Sequence, residues 1–452
     1  MSDIIAAVAT GHSACAIGIL RLSGPGCIEA AGQVFTPKFG SLERLRDRNL
    51  TLGFLRDKDG RVIDEVLLTV SHAPNSYTGE DTAEFQCHGS PAVLAAGLEA
   101  LFAHGVRQAG PGEFTKRAFL NGRMDLTQAE AVIDLIDAES ADAAANAAGQ
   151  LGGAMLRRIA PVYDRLTDVM AHFHAVLDYP DEDIDPFTLS AVETDLWQAG
   201  SKLRELLATY GRGQVLRRGL RAVILGKPNT GKSSLLNLLA GFDRVIVTDI
   251  AGTTRDSVEE TVKLGRHLLR LVDTAGIRST DDQIERMGVE RAEAAAAQAD
   301  LALYVCDSSM PLTDEDFRAQ DAAMEAPYAI AILNKQDLPQ QVLPSDLPFE
   351  WVIPFCAKTG EGLEQLEYAL DCLFDDSVPC DGSILTNARQ AGAVARAVEA
   401  LERALAALKQ GLTPDAVLVD VEAALEALGE ITGQTMREEI TNRIFERFCV
   451  GK

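Results

Sequence analysis

Short apolar runs separated by Gly and Pro breaks fill the first 118 residues. Residues 4–9, 18–22, 62–70 and 83–87 have the length and composition of strands. From Thr127 the period changes. Apolar and alanine positions recur at helical spacing past Ile159, until Pro180 and the acidic stretch 181–185 interrupt them before further helix. At Arg221 a third texture begins, with apolar strands such as 221–225, 268–272, 301–306 and 328–333 alternating with amphipathic helices to about residue 376. That alternation predicts an α/β domain with a mostly parallel sheet. Residues 377–383, with Pro379 and Gly382, read as a linker. Beyond them the spacing predicts a helix over 387–410 ended by Gly411, then a helix with Thr413 as N-cap and Pro414 in its first turn. An α/β block therefore sits between two helical stretches.

The chain has 452 residues, which at about 150 per domain suggests roughly three domains. Hydrophobic residues make up 47%, enough to offset ordering entropy and exclude a mainly disordered chain. No apolar run approaches the length of a membrane span, and no Lys or Arg precedes Arg21 to form the basic start of a signal peptide. Eight scattered cysteines without a CxxC pair fit reduced thiols in a cytoplasmic protein. The net charge of −25 argues against a simple nucleic-acid coat. Two local basic sets stand out, Arg212, Arg217, Arg218 and Arg221, and Arg437, Arg443, Arg447 and Lys452. For each, a solvated face or helix-end charge is the favoured reading. His172, His174 and the acids Asp178, Asp181, Glu182, Asp183 and Asp185 read as a solvated helix end rather than a metal site.

Candidate chemistry concentrates in the α/β block. Gly226-Lys-Pro-Asn-Thr-Gly231-Lys232-Ser233 follows an apolar strand and precedes a helix, the setting a phosphate-binding GxxxxGKS loop requires. Backbone N–H groups of such a loop wrap phosphates, Lys232 would balance β/γ charge and Ser233 would ligate Mg²⁺. Forty-one residues after Lys232, Asp273-Thr274-Ala275-Gly276 ends another apolar run, placing an acid to hold Mg²⁺ and a glycine N–H to meet the γ-phosphate. Sixty-one residues further, a strand ends in Asn334-Lys335-Gln-Asp337, whose carboxylate can accept the two N–H donors of guanine. Adenine offers neither, and an unpaired buried acceptor costs about 1–3 kcal/mol. Cys356-Ala357-Lys358 fits the loop that closes over the base. Between the phosphate loop and Asp273 lies Gly252-Thr253-Thr254-Arg255-Asp256, a switch by position, with Thr254 as the hydroxyl ligand to Mg²⁺. Four ordered motifs identify a GTPase domain. Ile277 follows Gly276 where a Ras-like enzyme carries the glutamine that positions water. Some other group must act there, and an arginine finger normally supplies roughly 10³–10⁵-fold.

The motifs PNTGKSSLLN, TDIAGTTRD, DTAGIR, NKQD, CAKTGEGL and Cys449-Val-Gly-Lys452, with GILRLSG (18–24), NSYTGEDTAEFQCHG (75–89) and PGEFTKRAFLNGRMDLTQAEAVIDLIDA (111–138), together resemble the MnmE (TrmE) tRNA-modification GTPases over essentially the whole chain. The resemblance implies a multidomain α+β fold. It comprises an N-terminal α/β folate-binding and dimerisation domain over 1–118, a helical domain in two parts (119–216 and 377–452), and a Ras-like P-loop α/β GTPase domain inserted at 217–376. It also implies a homodimer, a flavin-dependent MnmG (GidA) partner and tRNA as substrate. The pair would install an aminomethyl or carboxymethylaminomethyl group at C5 of the wobble uridine. A reduced folate, 5-formyl- or 5,10-methylene-tetrahydrofolate, would be the one-carbon source. Hydrolysis of GTP would need K⁺, which can stabilise transition-state charge as a guanidinium would.

Carried onto this sequence, Asn229 with Thr248, Ile250 and Thr253 would hold K⁺, and Glu285, twelve residues after Asp273, would orient the attacking water. Thr230, Gly231, Ser234 and Asp249 complete the nucleotide set, and Arg278 joins Lys232 and Glu285 among the catalytic candidates. Arg21, Glu84, Arg123 and Lys452 fall on folate positions, since a pterin's N–H donors suit a carboxylate and its glutamyl tail suits cations. Arg123 stands where family members often have Lys, and His12-Ser-Ala-Cys-Ala16 departs from the family's Gly/Arg-rich start. Read without the resemblance, Arg21 and Glu84 are also a candidate surface ion pair. Cys449 has three readings: a poor prenyl acceptor, a buried packing thiol, or a functional thiol beside the one-carbon site. Two other functions stay open on the residues. One is a regulatory or ribosome-assembly GTPase that binds RNA without modifying it; the other is a folate-dependent methyltransferase acting without the flavin partner.

Overall fold

The computed structural model describes residues 3–11, 13–42, 45–178, 189–242, 260–272, 295–374, 379–434, 444–446 and 448–451. The chain forms two compact units. One comprises Met1–Ile133, Gln150–Leu203 and Gly392–Lys452, the other Asp134–Gly149 and Arg204–Ala391.

The first unit holds a seven-stranded sheet of β1 (Ile5–Val8), β2 (Cys15–Ser23), β3 (Phe35–Pro37), β4 (Thr51–Arg56), β5 (Val62–Ser71), β6 (Thr82–Gly89) and β7 (Arg107–Gln108), in the order β3-β4-β5-β6-β2-β1-β7. All pairings are antiparallel except β1 with β7. Buried and half-exposed positions alternate along β2 and β5, the two-residue period of a sheet with one face covered. The covering helices are Cys27–Val34 and Pro91–Phe102, whose Cys27, Ala31, Leu94 and Leu101 close a core with Leu20, Leu22, Leu55, Leu68 and Phe85. The β4 strand was not among the expected ones, because TLGFLR shows little apolar alternation and carries a glycine.

The helical part of this unit includes Ala154–Asp178 packed against Pro414–Thr432. Met155, Ile159, Val162, Leu166, Val169 and Phe173 are buried at helical spacing along the former, and Val417, Val421, Ala424, Leu428 and Ile431 along the latter. The expected helical run past Ile159 is instead three helices, Leu126–Ile136, Ala141–Leu151 and Ala154–Asp178. Ser140 Oγ accepts the Ala143 N–H at 3.1 Å and so starts the second of them.

The second unit holds a six-stranded sheet of β8 (Leu220–Leu225), β9 (Glu260–Leu264), β10 (His267–Leu271), β11 (Leu301–Asp307), β12 (Tyr328–Asn334) and β13 (Trp351–Pro354), in the order β13-β12-β11-β8-β10-β9. Only β9 runs antiparallel to its neighbour. Successive residues of β8 feed opposite cores. Ala222 and Ile224 meet Leu235, Leu236 and Leu239 of the helix Lys232–Phe242, while Val223 and Leu225 join Tyr304, Ala322 and Ala323 on the other face. Both faces being covered, all seven residues of β11 are buried. The chain passes from β8 through β9 to β10 on one side of β8, then crosses to β11 on the other, which makes the C-terminal end of β8 the switch point where α/β folds bind ligands.

The segment expected as a linker is packed where it is described. Gly382 N–H donates to Asn146 Oδ1 at 3.1 Å and Asn146 Nδ2 to the Ile384 carbonyl at 3.4 Å, with Asn146 fully buried. Residues 134–149 and 379–391 belong to the same compact unit as the second sheet.

Candidate functional site

Beyond Leu225 the chain turns through Gly226–Lys232 into the helix Lys232–Phe242, whose first N–H groups lack helical acceptors and face whatever the loop holds. Lys232 Nζ donates to the carbonyls of Gly226 and Lys227 at 2.6 and 2.7 Å, so its ammonium is held within the loop. Thr230 is buried, its Oγ1 donating to Lys227 O at 3.1 Å. Gly231 has φ 102°, and a Cβ there would lie 2.2 Å from Asn334 Nδ2, so only glycine fits. Asn229 sits exposed with φ 61°, a left-handed conformation asparagine tolerates better than most residues. Ser233 and Ser234 are exposed at the start of the helix.

The base end is tied to this loop through Asn334. Its Nδ2 donates to Thr230 O at 2.8 Å and its Oδ1 accepts the Ala357 N–H at 3.0 Å. One buried amide thus joins the phosphate loop, the Asn334-Lys-Gln-Asp337 turn and the Cys356-Ala-Lys358 loop. Cys356 Sγ lies 3.6 Å from Asp337 Oδ1, while Asp337 and Lys358 are exposed. Lys335 has φ 65° and its Nζ contacts Asp307 Oδ2 at 2.6 Å. Burial opposes charge on Asp307, but Lys335 and the Ser309 hydroxyl and N–H outweigh it and hold the carboxyl below the usual range. Asp307 is a site residue that the motif reading missed. Its signal was present, an acid ending a wholly apolar strand.

Thr248, Asp249, Ile250, Thr253, Thr254, Asp273, Thr274, Ala275, Gly276, Arg278, Glu285 and Lys452 lie outside the described residues, as do Arg437, Arg443 and Arg447. Of the other basic set, Arg217 pairs with Asp134 at 2.8 Å and Arg218 with Asp300 at 2.7 Å.

A second constellation lies in the first unit. Arg21 of β2 and Glu84 of β6 are directly opposed, with Arg21 Nε 2.7 Å from Glu84 Oε1. The Arg21 guanidinium also lies 5.6 Å from the Tyr77 ring centre and 5.8 Å from that of Phe114. Glu84 Oε2 accepts nothing among the described residues, which leaves an acceptor for a ligand's N–H donors. Arg123 is exposed, its Cγ lying 3.1 Å from where a Cβ on Gly79 would stand. The tail docks on the same cluster. Val450 bridges to Pro111 and packs with Ile5, Ala7, Ala109 and Phe114, while Cys449 O accepts the Gly112 N–H at 3.3 Å. Gly451 has φ 105°, and a Cβ there would come within 2.2 Å of Val8 O. The Cys449 thiol is exposed, so the buried packing reading fails. Arg21 and the tail therefore converge on Phe114, with Glu84 paired to Arg21; Arg123 is placed by Gly79, on the turn that also carries Tyr77.

Residues 4–123 match the family described as GTP-binding protein TrmE N-terminus, and residues 126–449 the MnmE helical domain. A curated protein of Roseiflexus sp. (strain RS-1), named tRNA modification GTPase MnmE, is 41% identical over all of this chain and 99% of its own. Proteins of the same name from Akkermansia muciniphila and Heliobacterium modesticaldum are 45% and 42% identical. They cover 99% and 100% of this chain and 98% and 100% of their own.

Proposed function

The chain belongs to the MnmE family of tRNA modification GTPases, and on that premise we propose that it uses GTP hydrolysis to modify C5 of the tRNA wobble uridine with a reduced folate as one-carbon source. That it is a GTP-binding GTP hydrolase acting in tRNA modification follows from membership. The finer reading concerns which residues do what. GTP would bind along residues 226–234 with its base against Asn334, Lys335, Asp337 and the 356–358 loop. The observation that carries this is the Asn334 amide, whose two bonds hold phosphate loop and base loop in fixed register. Ser233, Thr254 and Asp273 would hold Mg²⁺, whose charge offsets that developing on the β/γ oxygens. Asn229, exposed and left-handed, suits a K⁺ ligand together with Thr248, Ile250 and Thr253, and Glu285 would orient the water.

In the first unit, Glu84 Oε2 would accept pterin N–H donors while Arg21, Arg123 and Lys452 balance the glutamyl carboxylates. Cys449, exposed on a docked tail, would lie beside the one-carbon unit. The working assembly proposed is a cytoplasmic homodimer with a flavin-dependent MnmG-like partner and tRNA. Among the described residues no helix is long and apolar enough to cross a membrane.

Mass spectrometry of bulk tRNA nucleosides, from source cells with and without the gene for this chain, tests the modification. C5-aminomethyl derivatives should vanish on deletion and return with wild type but not with Asp273→Ala. An unchanged profile would instead leave a regulatory GTPase. For the cation, exchanging K⁺ for Na⁺ should cut GTP turnover at least about tenfold, and Asn229→Ala should erase the difference. Equal rates in both salts would reject the potassium site.

A further inference from the structure

Behind the phosphate loop lies an ion pair that no motif contains. Asp316 belongs to the first turn of the helix Asp314–Ala323, and its carboxylate is wholly buried. Its Oδ2 receives Lys227 Nζ at 2.7 Å and both the N–H and the hydroxyl of Thr313 at 2.8 Å. Its Oδ1 is buried without a partner among the described residues, so Lys227 is the one cation compensating this charge there. Lys227 is also where the loop's own bonds meet. Its carbonyl accepts Lys232 Nζ at 2.7 Å and Thr230 Oγ1 at 3.1 Å.

From this geometry we propose that Asp316 is a positioning residue of the GTPase site, anchoring Lys227 so that the Lys227 carbonyl holds Lys232 and Thr230 in place for the phosphates. The chain of contacts runs from a helix on one face of the sheet, through one side chain, into the loop backbone. A buried ion pair is costly to break, since either partner alone is left uncompensated. The loop is therefore fixed from behind by a charge that never touches the nucleotide. Because Lys232 meets the β/γ oxygens, displacing it weakens binding of a triphosphate more than of a diphosphate.

The inference rests on residues 226–233 being the phosphate loop, and the test separates the two. In the full chain, Asp316→Asn and Lys227→Gln should each weaken a non-hydrolysable GTP analogue about tenfold, with a smaller loss for GDP and a matching fall in kcat. The double variant should lose no more than the worse single one. Lys227→Gln changes the loop side only, so the test survives if Asp316→Asn folds poorly. Thr313→Ala removes a bond to the same carboxylate without touching Lys227. It should lower Tm while leaving the analogue-to-GDP affinity ratio unchanged. Silent Asp316 and Lys227 variants beside a defective Lys232→Ala would overturn this inference alone, as would a Thr313→Ala that moves the ratio equally. A Lys232→Ala that binds the analogue normally would overturn the loop reading and this inference with it.

Discussion

The phosphate loop and the tail-docked cluster around Arg21 are built by opposite strategies. The first is a single turn between β8 and its following helix, whose carbonyls and ammonium satisfy each other over a few residues. The second draws one residue each from β2 and β6, a ring from the helix Glu113–Leu120 and a tail segment from the far end of the sequence. A contiguous site is stamped on the sequence as a motif. A site assembled from distant segments depends on the whole unit folding around it, and its residues look ordinary until they meet.

The comparison predicts that damage at either site stays local. Lys232→Ala should reduce GTP turnover at least about 100-fold, with folate affinity measured by calorimetry unchanged. A parallel loss of folate binding would mean that the sites are not separate. Gly451→Val cannot keep the docked tail, given its φ and the 2.2 Å approach to Val8 O. It should weaken folate at least about tenfold while GTP turnover stays within about twofold. Glu84→Ala should cost less, about 1 kcal/mol or roughly fivefold in folate affinity, since one acceptor is lost and Arg21 can turn to the ligand. Unchanged affinity would remove Glu84 from the site. The smallest effect concerns acid. Asp307 has a depressed pKa in the folded protein, so its bond to Lys335 stabilises above the ordinary carboxylate range and fades as pH falls through the folded value. Lys335→Met should therefore flatten the acid limb of the second unit's thermal stability, read by calorimetry below about pH 4. An acid limb as steep as that of wild type would show that Lys335 does not set it.

What was legible in the sequence divides along the same line. The strand–loop–helix around residues 226–233 and the apolar strands flanking it are local patterns, and each appears in the structure within a residue or two. The alanine-rich region was less readable because alanine suits helix interiors and ends alike. Hence the stops after Ile136 and Leu151 left little trace in the periodicity. The packing of residues 379–383 is hidden from the sequence for a related reason. Pro and Gly signal irregular backbone, but only Asn146, far away in sequence, reveals that this backbone is buried. Asp316 stands 89 positions from Lys227, and nothing in either local sequence announces the pair.

The first unit is made of three separated stretches of chain, and Phe445, Phe448 and Val450 of the last stretch complete cores begun by Phe114, Phe119 and Leu126. During synthesis, residues 204–391 emerge before those aromatics exist. The inserted unit can therefore finish folding while its host still lacks part of its interior. The host must then close a loop as long as the insert. A pre-folded insert lowers the entropy of that closure by holding its own two ends at a set separation. Destabilising the nucleotide-binding unit should on this account slow maturation of the other, even where their finished stabilities are independent.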